Sequence, residues 1–387
     1  MTAGSEKQQE QAESLYQMGL AYWYGTQENQ ISDDTALSYF ESAAKWGSVE
    51  ALSRLAMYYS LEQYADYPKA LQLATEAVEK GSFYAEFILA ELYADGLGVA
   101  QDQEKADSLY KKVFPQIKSA VEQGNTALLV SLAYLYEQGL GTAENGKQAF
   151  KLYKQAADQG NATAAAAVGD YYANGYAGIE GDLKKAIAYY LQSAQANNVE
   201  AQYELATLYF EQGQTENAVK WYQSAANQGY SKAVYGLGNL YYNLQDYAKA
   251  SDYFEQAEKL NNIDAVYSLG LLYENGFGVE RNPSLALQKF TKAAEMGDSQ
   301  AKVRLADKYF QGEGVTQNIS KAVQLYQDVA SQDDVEASYR LAEIYEDHFG
   351  DKAHLEQALV IYQMLDSEFG DSSEDIERMK SKLREAK

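Results

Sequence analysis

A small residue followed three positions later by tyrosine recurs along the whole chain, and this repeat limits the possible folds more than any other feature. The small residues are Gly19, Ala56, Ala90, Ala133, Gly169, Ala206, Gly238, Gly270, Ala306 and Ala342, and the tyrosines are Tyr22, Tyr59, Tyr93, Tyr136, Tyr172, Tyr209, Tyr241, Tyr273, Tyr309 and Tyr345. Consecutive tyrosines lie 32 to 43 residues apart. A period of this length is typical of stacked helix pairs that bury their apolar faces only against each other.

Each period predicts two helices, and residues 265–297 show the pattern most fully. Small and apolar residues recur at three- and four-residue spacing in both halves of this segment, as on one face of a helix. Gly276 separates the two halves and Gly297 ends the second, where glycine permits a positive φ. Other repeats end instead in Asn197, Asn261 and Asp333. We expect the small residue to let the two helices approach closely, and the tyrosine ring to fill the space towards the neighbouring repeat.

The composition supports a helical chain and excludes several functions. The 387 residues include three prolines and no cysteine, which excludes disulfides, thiolate metal sites and cysteine nucleophiles. The formal net charge of −24 argues against nucleic acid, whose phosphates would be repelled, and favours a neutral or basic partner. No apolar run reaches the length of a membrane span.

We predict an all-α fold, a right-handed α-solenoid of about ten helix pairs closed by a C-terminal capping helix. Residues 1–11 are polar and are expected to form a flexible tail. The repeats occupy residues 12–366. Residues 367–387 lack the repeat pattern and place acids before bases, as expected of a capping helix whose charges complement its dipole.

The order of these residues resembles the Sel-1-like repeat, a relative of the tetratricopeptide repeat. The best-matching segment carries the resemblance through Ala265, Leu269, Gly270, Tyr273, Gly276, Gly278, Val279, Ala286, Phe290, Ala293, Ala294 and Gly297. It extends over nearly the whole chain, and residues 198–261 are closer in length to tetratricopeptide units. Some members of the family carry a disulfide in each repeat, which this chain cannot form.

The resemblance implies a non-catalytic protein–protein interaction scaffold or adaptor, bacterial and associated with the cell envelope or with secretion. The alternatives are a polysaccharide-binding scaffold of an export system, a toxin-neutralising inhibitor of the immunity type, and a carboxylate-dependent glycan-cleaving enzyme. The polar start of the chain is compatible with a removed export signal and hence with the periplasm, the cytoplasm being the alternative.

The chain offers few groups for catalysis or metal binding. Its two histidines, His348 and His354, lie six residues apart instead of at the four-residue spacing of a helical metal site. Adjacent acids such as Asp33 and Asp34 are typical of helix starts. We therefore predict no catalytic residue, no metal site and no cofactor.

Aromatic residues give the clearest indication of a binding surface. In the geometry of the related tetratricopeptide repeat, the positions three before and four after the small residue face the concave groove. The predicted groove residues, with one from an intervening position, are Tyr16, Trp23, Phe87, Tyr134, Tyr203, Phe210, Tyr235, Tyr242, Tyr267, Phe310 and Tyr339. Acids lie between these rings, so we expect a groove for a peptide or a basic helix, most accessible from Tyr203 to Tyr267, where the turns are shortest. Stacking on sugar rings, or packing between helices alone, are the alternatives.

Overall fold

The computed structural model describes residues 3–370 and 372–386, and all regular secondary structure in these ranges is helical. The first helices of the pairs are α1 (Ala3–Tyr24), α3 (Val49–Ser60), α5 (Phe83–Asp95), α7 (Leu129–Gln138), α9 (Ala162–Asn174), α11 (Val199–Glu211), α13 (Ser231–Asn243), α15 (Ile263–Asn275), α17 (Ser299–Gln311) and α19 (Val335–Ile344). The second helices are α2 (Asp33–Lys45), α4 (Tyr67–Glu79), α6 (Gln103–Glu122), α8 (Gly146–Asp158), α10 (Leu183–Gln195), α12 (Thr215–Asn227), α14 (Tyr247–Lys259), α16 (Pro283–Glu295), α18 (Ile319–Ala330) and α20 (Lys352–Phe369). A π-helical turn, Tyr345–Phe349, follows α19, and α21 (Ser373–Glu385) follows the last pair.

The predicted all-α fold of helix pairs with a C-terminal helix is confirmed. Helix α1 begins at Ala3 and includes most of residues 1–11, the predicted flexible tail. Glu, Gln and Lys, which fill this segment, are good helix formers. Met1 and Thr2 lie outside the described residues, and the flexibility of the segment stays a prediction.

The helices form two compact units, and the division between them along the chain falls within α12. The N-terminal unit ends at Ala225 and the C-terminal unit begins at Ala226. Each unit buries hydrophobic clusters of its own, for example around Tyr171 in the first and around Tyr326 in the second.

A recurring backbone hydrogen bond fixes the connection between the helices of a pair. The N–H of the residue that caps the second helix donates to the carbonyl of the repeat tyrosine, as from Asp102 to Tyr93 at 2.9 Å. The side chain of the same residue caps the helix, since Asp102 Oδ1 accepts from the N–H of Lys105 at 3.0 Å. Asn282 and Tyr273 repeat the backbone bond at 2.8 Å. The connection is therefore set by backbone groups and a short polar cap.

The repeat ends adopt the predicted left-handed backbone even where glycine is absent. The φ angle is 69° at Asn197, 59° at Asn261 and 63° at Asp333. Asn and Asp tolerate this region better than other non-glycine residues. The predicted register of the repeats is confirmed at these three positions.

The core of a pair forms where an aromatic ring of the second helix meets the small residue of the first. Phe290 of α16 is fully buried, and a Cβ atom added to Gly270 would lie 2.5 Å from its ring. Gly238 and Phe254 repeat this geometry at the same distance. The small residue is thus required by a contact within its own pair.

The repeat tyrosine does not fill the core as expected. Of the ten repeat tyrosines, Tyr345 is buried and the others keep part of the side chain exposed. Tyr241 stacks on Tyr253 of the second helix with 5.5 Å between ring centroids. A lysine near the start of the second helix covers the ring in the pairs Lys69–Tyr59, Lys105–Tyr93, Lys185–Tyr172, Lys249–Tyr241 and Lys321–Tyr309. Most repeat tyrosines therefore lie half-buried beside the second helix of their own pair, because the second-helix ring already occupies the core. Some also reach the preceding pair as expected, since Tyr136 meets Phe114 of α6 at 5.2 Å and Tyr172 meets Phe150 of α8 at 5.4 Å.

In the N-terminal unit the first helix pair contacts the fifth. The N–H of Ile31 donates to the carbonyl of Ala196 at 2.7 Å, and the N–H of Ala162 donates to that of Gly25 at 3.1 Å. Consecutive pairs between them are also packed together, so the first five pairs close into a ring.

Helix α21 covers the end of the C-terminal unit. Its own Met379 is fully buried in this contact. Glu346, in the π-helical turn, accepts hydrogen bonds from Arg378 at 2.7 and 2.8 Å and from Lys382 at 2.6 Å. Burial raises the pKa of Glu346, but the hydrogen bonds and charges of these two bases outweigh it and hold the pKa at about 2.

Candidate functional site

The predicted groove residues three positions before the small residue each pack against the ring of their own second helix. The centroid separations are 6.1 Å for Tyr16–Phe40, 6.3 Å for Phe87–Tyr110, 5.8 Å for Tyr203–Tyr222, 5.5 Å for Tyr235–Phe254, 5.7 Å for Tyr267–Phe290 and 5.6 Å for Tyr339–Tyr362. One side of each ring is therefore packed against the core of its pair. Whether the ring can bind a partner depends on how much of its other side is exposed to solvent.

Exposure separates the predicted groove residues into three classes. Tyr16 and Phe87 are buried, with 6% and 3% of their surface exposed, whereas Tyr242 and Tyr339 are each 37% exposed. The partly exposed members are Trp23, Tyr134, Tyr203, Phe210, Tyr235, Tyr267 and Phe310. The predicted groove is therefore not a uniformly exposed stripe.

Three of the predicted residues meet in a cavity of the N-terminal unit. Trp23 of α1, Phe87 of α5 and Tyr134 of α7 line a space of about 450 Å³. Its wall also carries Glu91 and Asp95, which follow Phe87 at four-residue intervals on one face of α5. We call this cavity the ring chamber, because helices of the closed ring surround it.

A buried arginine lies at one end of the ring chamber. Arg54 is fully buried, and its guanidinium donates to the hydroxyls of Tyr24 and Tyr84, each at 2.8 Å. Its Nη2 donates to the carbonyl of Ala127 at 3.3 Å, and no carboxylate of the described residues lies within ion-pair distance. Tyr84, Ala127 and Tyr16 line a second cleft of about 310 Å³, whereas Tyr24 lines the ring chamber. Arg54 therefore separates the two spaces.

The rings between Tyr203 and Tyr267, predicted to be the most accessible, contact residues close to them in the chain. Tyr242, near the end of α13, meets Tyr247, the first residue of α14, edge-on at 5.2 Å. Tyr203 and Phe210 belong to the N-terminal unit, whereas Tyr235 and Tyr242 belong to the C-terminal unit. Preferred access at these repeats stays a prediction.

Tyr267, Phe310 and Tyr339 line three adjoining clefts of the C-terminal unit. The cleft beside Tyr267 measures about 430 Å³, the one beside Phe310 about 300 Å³ and the one beside Tyr339 about 600 Å³. Asp307 lines the first two clefts, and Arg340 lines the last two. We call the surface formed by these three clefts the C-terminal groove.

The C-terminal groove carries both signs of charge with an excess of acids. Its carboxylates are those of Asp307, Asp334, Glu336, Glu343 and Asp347, and its guanidinium groups are those of Arg304 and Arg340. Arg340 lies 3.3 Å from Glu343, and Arg304 lies 3.6 Å from Glu274. The predicted acidic groove is thus interrupted by two arginines, each already close to a carboxylate.

Sequence reasoning missed the hydrogen bonds between second-helix tyrosines and acids of the first helices. Three of these pairs, donor first, are Tyr110 with Glu91, Tyr190 with Asp170 at 2.5 Å, and Tyr326 with Asp307 at 2.5 Å. Burial raises the pKa of Glu91 and of Asp170, although each tyrosine hydrogen bond opposes the shift. These three pairs could have been predicted from the sequence. In each, the acid directly follows the small residue of the repeat, and the tyrosine lies 19 or 20 positions after the acid.

The histidines make local contacts. His348 packs edge-on against Phe310 in the C-terminal groove, with 4.8 Å between centroids. His354 Nδ1 lies within hydrogen-bond distance of Asp351 at the start of α20.

Within residues 3–370 and 372–386, no group of three or more acids or histidines is arranged to hold a metal ion. None of the helices described in these ranges is both long and apolar enough to cross a membrane.

The stacked helix pairs and the clefts that they form define an α-helical repeat protein of the interaction-scaffold class. The Sel1 repeat profile matches residues 12–48, 49–82, 83–112, 129–161, 263–298 and 299–334, which together exceed half of the chain. Tetratricopeptide repeat profiles match residues 180–233 and 231–264. The chain belongs to the Sel1 repeat family.

Two solved structures are similar over most of the chain. A protective antigen of uropathogenic Escherichia coli strains, which displays an SLR fold, is 24% identical with a TM-score of 0.55, over 96% of this chain and 86% of that one. A Sel1 repeat protein from Oxalobacter formigenes is 25% identical with a TM-score of 0.54, over 80% of this chain and 90% of that one. Both support the helical-repeat fold.

Proposed function

We propose that the chain is a non-catalytic adaptor that binds a peptide segment of a partner protein in the C-terminal groove. The observation that carries this proposal is the arrangement of Tyr267, Phe310 and Tyr339. All three keep part of their surface exposed in adjoining clefts. Tyr267 and Tyr339 also pack against the rings of Phe290 and Tyr362, respectively, in the second helices of their pairs.

Rings held in this way are suited to binding. A tyrosine presents a large contact area with few rotatable bonds, and packing against the core removes most of that freedom before a partner arrives. Such rings are frequent among the residues that dominate interface energies. Each exposed groove ring is therefore expected to contribute about 1–3 kcal/mol to binding.

The charge of the C-terminal groove favours a neutral or basic segment. Five carboxylates against two guanidinium groups leave a net negative potential along the clefts. A segment that alternates apolar side chains with Lys or Arg would match both the rings and the acids. The biological setting we propose is the bacterial cell envelope or a secretion system.

Selection from a random-peptide display library on the purified chain tests this proposal. We expect the selected peptides to combine apolar residues with Lys or Arg, to be recovered uncleaved, and to slow amide hydrogen exchange in α15, α17 and α19. Selection of acidic peptides, cleavage of bound peptides, or protection confined to the N-terminal unit would argue against it.

A further inference from the structure

The ring chamber changes from apolar to acidic along a single face of α5. Phe87 is buried, Glu91 one turn further on is half-buried, and Asp95 at the end of the helix is exposed. The chamber therefore meets solvent at its acidic end. Trp23 and Tyr134 add aromatic surface from two other helices.

The two carboxylates lack a basic partner. Neither Glu91 nor Asp95 is within ion-pair distance of a lysine, arginine or histidine among the described residues, and Glu91 accepts its hydrogen bond from the neutral hydroxyl of Tyr110. Together with Glu137, these acids act on Tyr134, whose pKa burial and nearby negative charge raise to about 12. The open end of the chamber thus has a local excess of negative charge.

At the opposite end of the ring chamber, the positive charge of Arg54 lies behind the residues that line the cavity. Arg54 bonds to Tyr84, which lies eleven positions before Asp95 on α5. At 1.5 Å per residue this separation is about 16 Å along the helix. A ligand cation is therefore attracted to the open end and repelled from the inner end, so charge alone sets one orientation.

We propose that the ring chamber binds an organic cation, with its apolar body against Trp23, Phe87 and Tyr134 and its ammonium group at Glu91 and Asp95. A cavity of about 450 Å³ falls within the range of small-molecule sites. Aromatic rings attract cations through their electron-rich faces, most strongly when water is excluded. The proposal uses residues of the N-terminal unit and is independent of peptide binding in the C-terminal groove.

Titration calorimetry with three matched probes tests the ligand class. The probes are 2-phenylethylammonium, its neutral match 2-phenylethanol and its anionic match 3-phenylpropionate. We expect the cation to bind at least about tenfold more tightly than the alcohol, and the anion not to bind. Equal binding of cation and alcohol, tighter binding of the anion, or no binding of any probe would overturn the proposal.

Two isosteric variants test the site. Glu91→Gln and Asp95→Asn should each weaken the cation about tenfold and leave the alcohol unchanged. Glu104→Gln, which neutralises an exposed acid of α6 outside the chamber, is the matched control and should change neither affinity. If Glu91→Gln does not fold, Asp95→Asn alone tests the site, because Asp95 is exposed and its replacement should not disturb the fold. An unchanged cation affinity in Asp95→Asn, or an equal loss in Glu104→Gln, would contradict the assignment.

Discussion

Within a helix pair, two aromatic rings have different roles. In the pair α17–α18 the repeat tyrosine, Tyr309, lies half-buried beneath Lys321. Tyr326 is almost completely buried against the first helix and donates to Asp307. The stabilising effect of a ring increases with the apolar surface that it removes from water. Tyr326, whose position is less strictly repeated along the chain, therefore contributes more to stability than the repeat tyrosine, Tyr309.

Replacing the two rings separately tests this division. Tyr326→Ala should lower the free energy of unfolding by about 3–5 kcal/mol, because it opens a cavity. Tyr309→Ala should lower it by only about 1–2 kcal/mol, because much of the ring is already in water. Urea unfolding followed by circular dichroism measures both, and an equal loss in the two variants would show that the repeat tyrosine belongs to the core.

The contact between Gly270 and Phe290 gives a second prediction at this scale. Helix propensity alone predicts that Gly270→Ala stabilises α15 by about 1 kcal/mol. The ring of Phe290, 2.5 Å from the added Cβ, should reverse that sign and cost about 1–3 kcal/mol instead. The double variant with Phe290→Leu should lose less than the sum of the single losses. A rise in the urea midpoint of Gly270→Ala would contradict the close contact.

At the scale of helices and their connections, two of the features that sequence reasoning did not predict depend on backbone hydrogen bonds and on helix propensity. The ring closes through the N–H groups of Ile31 and Ala162, which almost any residue could supply. The N-terminal extension of α1 needs only residues that favour a helix. Neither feature leaves a recognisable motif, whereas the helix pairs were predictable because small residues and glycines must recur at fixed positions.

Gly25 allows a direct test of ring closure. A Cβ atom there would lie 2.7 Å from Ile31, 3.1 Å from Ala162 and 3.2 Å from Ala196. Gly25→Ala should therefore accelerate hydrogen exchange at the N–H of Ala162. Gly47→Ala is the control, because Gly47 also has a positive φ but nothing lies within 4 Å of its added Cβ. The same exchange rate in both variants would mean that strain in the loop, not contact between pairs, is being measured.

The attachment of α21 should depend on pH through Glu346. Its folded pKa of about 2 lies below the ordinary value of 4.5, so its stabilising effect is complete above about pH 4.5 and is lost as pH falls towards 2. Glu346→Gln should cost about 1–3 kcal/mol at neutral pH, and the difference from wild type should shrink in this acid range. Urea unfolding at a series of pH values measures it. A difference that stays constant down to pH 3 would exclude the carboxylate as the cause.

At the scale of the whole chain, the fold followed from the repeat, but the surfaces followed only in part. The register placed Tyr16, Phe87 and Tyr339 at equivalent positions of their first helices, and each packs against the ring of its second helix. It did not predict that Tyr16 and Phe87 are buried while Tyr339 stays exposed, because exposure depends on how neighbouring pairs approach each other. The excess of acids was visible in the composition, but the placement of Arg54 and Arg340 among the rings was not.

We propose that the chain is an adaptor in which groove rings such as Tyr267 and Tyr339 bind the partner, while repeat tyrosines such as Tyr309 support the fold. The decisive measurement is the affinity of Tyr267→Ala, Tyr339→Ala and Tyr309→Ala for a peptide selected on the wild-type chain. We expect the first two variants to weaken binding by about 1–3 kcal/mol and Tyr309→Ala to leave it unchanged, once each is shown to be folded at the assay temperature. Equal weakening by all three variants, or no weakening by the two groove variants, would show that the C-terminal groove rings do not bind the peptide.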